Sequence, residues 1–108
     1  MSRSDDERVA DILEAATEVG VLVAPGRDEW DRDRTRRLAV ERLLEIIGEA
    51  ARALSEEGRS LYPEVAWQDV IGLRTVLAHH YHRVDPDQVW TMAANELPRL
   101  VDQLQPRD

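Results

Sequence analysis

The spacing of aliphatic residues restricts the fold of this chain more than any other feature. Val9, Ile12, Leu13, Ala16, Val19 and Val23 recur every three or four positions, which puts them on one face of a helix and does not match the alternation of a half-buried strand. Ser4-Asp5-Asp6-Glu7, ahead of that stripe, has the form of a capping box. Pro25-Gly26 supplies the turn that ends the helix. The apolar residues are mainly Leu, Val, Ile and Ala, with no Phe at all, a mixture that favours helices over aromatic-rich strands.

A second, longer helix is predicted over residues 28–57. Its opening, residues 27–37, is dense in charges of both signs and reads as a solvated or interdomain face. Its second half carries Leu38, Leu43, Leu44, Ile46, Ile47, Ala50, Ala51 and Leu54. That stripe is wide enough for two neighbouring helices, or for one neighbour and a partner subunit. Gly58 stands where a C-terminal cap belongs. A third helix starts near Ala66 or Trp67 and stops near His80. Asp85-Pro86-Asp87-Gln88 has the cap, the first-turn proline and the capping-box glutamine of a fourth helix. Pro98 falls inside that helix and is expected to bend it. These elements predict an all-α, up-and-down four-helix bundle, with room for a short extra helix, filling residues 1–108 as one domain.

Composition limits the chemistry. Without cysteine, neither a disulfide framework nor a thiolate zinc site is available. The polar start and the lack of an apolar run long enough to span a bilayer predict a cytoplasmic protein with no membrane partner. A net charge of −8 opposes coating nucleic acid by bulk electrostatics. The charge is uneven, however. Residues 1–37, 38–58 and 84–108 each carry −3, whereas residues 59–83 carry +1 and all three histidines, His79, His80 and His82. An anion would be handled there in preference to elsewhere. All 14 basic side chains are Arg, which reads as compositional bias and not as a functional signal.

Within that window Arg74, His79 and Tyr81 are the residues that could do chemistry. At roughly 100° per residue, Arg74 and Tyr81 share a face of a continuous helix while His79 points about 140° away from Arg74. A common site therefore needs the helix to end or loosen around His79, as the cap at Asp85 also demands. A guanidinium can grip phosphate oxygens and stabilise charge developing on them. An imidazole can move a proton near neutral pH. In RNA the 2′-hydroxyl is a built-in nucleophile, so such a pair would need neither a metal nor a cofactor. Spacing alone leaves a structural reading open, in which Arg74 pairs with an acid and the histidines cap a helix. A metal site built on the three histidines is the weaker alternative, because no cysteine and no cluster of carboxylates stands among them.

The wider pattern goes further. Arg74-x4-His79-x-Tyr81, then Val84-Asp85, Val89-Trp90 and Leu97-Pro98, together resemble the HepT-like ribonuclease family of HEPN domains. So do Gly48-Glu49-Ala50-Ala51, with the residues leading into them, and Trp67-Gln68-Asp69-Val70-Ile71-Gly72-Leu73 before the motif. The resemblance spans about residues 5–104. It implies a homodimer in which Arg74 and His79 of both subunits meet in one cleft and cut RNA without a metal. It also implies the toxin half of a type VII-like HepT/MntA toxin–antitoxin module. The partner would be a minimal nucleotidyltransferase antitoxin of the MntA type, which could silence the toxin by adding AMP to Tyr81. Thr75 stands where the family has Asn or Asp, and it is shorter and β-branched. His80 adds a second ring beside the motif, and Glu49 matches the family block and could face the cleft. The competing expectation is a catalytically silent HEPN module that binds its nucleotidyltransferase partner or a nucleotide.

Overall fold

The computed structural model describes the backbone of residues 3–79 and 85–105, and the side chains of residues 4–74 and 85–105. Helices account for its regular structure, and no strand occurs among the described residues. The long helix α1 (Arg3–Val23) is followed by the short α2 (Arg27–Arg32), then by α3 (Arg34–Ala53) and the short α4 (Glu56–Ser60). Helix α5 (Trp67–His79) precedes a last arm made of α6 (Pro86–Thr91), a π-helical turn (Met92–Glu96) and α7 (Leu97–Leu104). The predicted all-α bundle is therefore present as four arms, with α2 and α4 as short additions.

Helix α3 is the central element, packed against α1 and against α5, while the π turn and α7 close on α1. The reason lies in its stripe. Val40, Leu44, Ile47 and Ala51 are fully buried, with Ala50 beside them, and Leu43 and Ile46 flank the core half-buried. Of the two options the width of that stripe allowed, the one seen within the chain is a helix facing two neighbours. Leu38, two residues before Val40, is 46% exposed.

Four expectations need correction, the last of them at the start of α1. The single helix over residues 28–57 is three helices. Asp33 leaves helical geometry (φ −120°, ψ 94°) and its side chain accepts a hydrogen bond from Arg36 N at 3.0 Å. An aspartate that can cap the next turn competes with the helix continuing through it. Leu54 is extended, and Ser55 then caps α4 by accepting from Gly58 N. Second, the charged opening is not merely solvated. Trp30 is 1% exposed and packs edge-on against Trp90 with ring centroids 5.6 Å apart. Third, Gly58 is not a C-terminal cap but a buried residue within α4. A Cβ there would lie 2.7 Å from the Asp5 carboxyl carbon.

That contact makes sense of Asp5, which is buried at 3% exposure at the start of α1. Its carboxylate accepts from Ser55 N at 3.0 Å and from Ser55 Oγ at 2.5 Å, so the first turn of α1 holds the α3–α4 junction. Ser4 lies inside α1, and the predicted capping box does not form its N-terminus. Asp85 does cap α6 as expected, accepting from Asp87 N at 2.9 Å, with Pro86 in the first turn. The bend expected at Pro98 takes the form of the π turn before it. Leu97 N donates to Met92 O, five residues back, and the widened turn delivers the chain to a proline that has no N–H to give.

Because Ile47 is fully buried on the helix that touches both neighbours, Ile47→Ala is expected to lower the unfolding free energy by about 2–5 kcal/mol, measured by urea denaturation followed by circular dichroism.

Candidate active site

The site begins with how α5 is seated. Trp67 opens the helix, buried, with its Nε1 donating to Arg59 O at 3.0 Å and its ring edge-on to Tyr62. Arg59 in turn donates through Nη2 to Leu54 O at 3.1 Å, satisfying a carbonyl at the end of α3. These bonds place the start of α5 beside the end of α3. Further along, α5 meets α3 at Gly48. A Cβ built on Gly48 would lie 2.7 Å from Arg74 N and 3.0 Å from Arg74 Cβ, so the two helices run antiparallel and touch backbone to backbone at that level.

Arg74 is half-buried at this contact. Its Nε is closed off from solvent and has no hydrogen-bond partner among the described residues. Nor does its guanidinium make an ion pair with any acid among the described residues. The structural reading, in which Arg74 serves to neutralise a carboxylate, therefore finds no support in the described part of the molecule. Helix α5 extends through His79, five residues and about 7.5 Å of helix rise beyond Arg74. Asp85, the cap of the next helix, is extended (φ −67°, ψ 113°), and the expected loosening just after His79 falls on residues 80–84, outside the described residues. The side chains of Thr75 and His79, and all of His80, Tyr81 and His82, lie outside the described residues, as does the metal reading that rests on the histidines. Glu49 is exposed on α3, next to Gly48, and makes no ion pair among the described residues.

The far end of the motif segment is anchored too. Arg27 donates to Asp87 at 2.6 Å and to Asp31 at 2.9 Å, and its guanidinium lies 5.9 Å from the centre of the Trp90 ring. These carboxylates raise the Arg27 pKa further above its ordinary value. With the Trp30–Trp90 contact, they tie α2 to α6, just after residues 80–84. Sequence reasoning missed this anchor because Trp30 sits alone among charges. It also passed over Gly48 as a contact. The available signal was a glycine mid-helix, which costs about 1 kcal/mol relative to Ala unless something needs the space.

Two grooves lie on the other side of α5. One, of about 430 Å³, runs between α5 and the last arm over Val70, Leu73, Met92 and Leu100. Its neighbour, of about 600 Å³, is lined by Asp69, Asp85, Asp87 and Glu96. Arg74 lines neither. Four carboxylates make that second groove unfavourable for an anion.

The comparison with known proteins now decides the family. The family described as ribonuclease HepT-like matches residues 12–106. The chain belongs to the HepT-like ribonuclease family. It is similar to the Methanocaldococcus jannaschii protein named "Putative RNase MJ1380", 35% identical over 91 residues that cover 83% of this chain and 84% of the other. A second protein of that organism, "Putative RNase MJ0127", is 35% identical over 78 residues, 72% of this chain and 64% of its own length. "Probable ribonuclease HepT" of Thermococcus cleftensis is 31% identical over 101 residues, 93% of this chain and 92% of its own. No solved structure matches the chain. Membership of this family makes the chain an enzyme of the ribonuclease class. No described helix is long and apolar enough to cross a membrane.

Glu41 lies seven residues before Gly48, on the same face of α3. Its burial pushes its carboxyl above the ordinary value; nearby Arg37 opposes the shift and Glu45 adds to it. A carboxyl that binds its proton more tightly in the folded state favours folding in acid, and that contribution is lost as pH rises through the folded pKa. Glu41→Gln is therefore expected to gain more stability over wild type at neutral pH than in acid below the carboxylate range, as read from urea midpoints at the two pH values.

Proposed function

We propose that this chain is a metal-independent RNase toxin whose reacting groups are Arg74 and His79. The observation that carries the reading is Arg74 itself: half-buried at the α3–α5 contact, closed to solvent at Nε, and without an acidic partner among the described residues. An arginine held on the helix that leads into the family motif, with its charge unspent, is available for a phosphodiester. The 2′-oxygen would attack the adjacent phosphorus, forming a P–O bond as the bond to the 5′-oxygen breaks. His79 would move the proton, as base at the 2′-hydroxyl or as acid at the departing 5′-oxygen. Arg74 would stabilise the charge that builds on the phosphoryl oxygens between those events.

The family match supports a wider setting. On this reading two copies form a homodimer, the Arg74 and His79 pairs meet in one cleft, and the protein works in the cytoplasm. The antitoxin is a minimal nucleotidyltransferase of the MntA type encoded alongside it. AMP placed on Tyr81 would put an anion at the cleft, blocking and repelling RNA. The second reading, a silent HEPN module that binds its nucleotidyltransferase partner or a nucleotide, is favoured by two observations: Thr75 in the place of Asn or Asp, and the net charge of −8.

Expression of the chain alone is expected to arrest growth, with Arg74→Ala and His79→Ala each relieving the arrest. Purified protein should cleave RNA with a chelator present, and His79→Ala should reduce the rate by about 100-fold or more. Wild-type protein that is harmless and leaves RNA intact would favour the silent module. Co-expression with the neighbouring nucleotidyltransferase should add one AMP mass on Tyr81, read by peptide mass spectrometry; an inhibited complex with unmodified Tyr81 would instead mean neutralisation by binding.

A further inference from the structure

We propose that Gly48 is a positioning residue for Arg74, setting both the depth at which the guanidinium sits and the edge it offers to a phosphate. The inference rests on the reading of Arg74 as the phosphate-binding cation, and adds to it a residue on another helix. Three observations converge. Gly48 is a buried glycine within the twenty-residue α3, where Ala would be favoured by helix propensity. A Cβ there would meet the Arg74 backbone nitrogen at 2.7 Å, a contact that turning a side chain aside cannot relieve. And the Arg74 Nε is shut off from solvent with no partner among the described residues, a cost tolerated at the level where α5 meets Gly48.

The consequences are geometric. With Nε enclosed, a phosphate can reach Arg74 only through its terminal amino groups, end-on, and not along the edge that includes Nε. Gly72, two residues earlier on α5, has nothing within 4 Å of an added Cβ. It faces the acidic groove and not α3, so it is the control glycine on the same helix. Any side chain at position 48 would push α5 off α3 by several tenths of an ångström and carry Arg74 with it. Displacements of that order in a group that acts on a transition state cost about 10- to 100-fold in rate.

Gly48→Ala is the test, measured as RNA cleavage and RNA affinity at several salt concentrations, alone and in an Arg74→Ala background. The expected result is a fall in cleavage of about 10- to 100-fold and a shallower salt dependence of binding, in the direction Arg74→Ala itself produces as one phosphate contact is lost. In the Arg74→Ala background the substitution should cost affinity and cleavage nothing further. Its effect on thermal stability should persist there, because the clash is with Arg74 N and Cβ, which Ala retains. Gly72→Ala should leave activity unchanged. Equal losses from Gly48→Ala in both backgrounds would overturn the proposal and leave Gly48 a packing residue, as would full activity in folded Gly48→Ala. Full activity in Arg74→Ala would instead sink the underlying reading of the site. Should Gly48→Ala not fold, hydrogen exchange at arginine Nε in the wild-type protein serves in its place. Arg74 Nε–H should exchange far more slowly than that of exposed Arg32, and equal rates would overturn the tight seat.

Discussion

The backbone-to-backbone contact of α5 on α3 is the constraint on which the described site depends. Helix α3 has to face α1 and α5 together, and it does so with a stripe of Val40, Leu44, Ile47 and Ala51 that leaves little room for error in either direction. Beside Ile47 the stripe holds Gly48, and the residue opposite it is Arg74. A charged side chain is thereby fixed at its root by core packing while its tip stays outside the core. Packing of this density transmits small displacements instead of absorbing them, so the geometry of a charge near the surface is governed by aliphatic residues well beneath it.

Charge is distributed to the same end. A chain of net charge −8 is a poor general partner for nucleic acid, yet its carboxylates are not placed at random. Asp69, Asp85, Asp87 and Glu96 gather on the groove side of α5, and Arg74 is kept free of them. On Arg27 the protein does the opposite, holding the guanidinium between Asp31 and Asp87 and beside the Trp90 ring. One arginine is spent on structure and the other is left with its charge available.

Much of this was legible in the residues. The stripe of α1, the start of α5 at Trp67 and the cap at Asp85 all followed from local rules, because each depends on neighbours within one or two turns. The family and the position of Arg74 on its helix were legible from the motif in its wider context. What escaped were features decided by partners far along the chain. Asp33 looked like one more charge in a charged stretch, and only its capping geometry shows that it divides two helices. Trp30 was hidden among Arg and Asp because its burial depends on Trp90, sixty residues away. Gly58 had the local signature of a helix end, but its role is to make room for Asp5. A glycine's reason for being small lies in what approaches it, and the sequence near it does not say what that is.

The bond from Asp5 to Ser55 bears on how the molecule is made. Fifty residues separate the partners, so during synthesis the first helix leaves the ribosome well before the junction that receives its carboxylate. At about 5–20 residues per second that interval lasts seconds, far longer than a helix takes to form and fray. For the first part of it, until α3 (Arg34–Ala53) follows, Val9, Ile12 and Val19 have no neighbour from α3 to cover them. The nascent chain thus carries a bare amphipathic surface early in its life, and closure of the Asp5 latch marks the moment at which that surface is withdrawn.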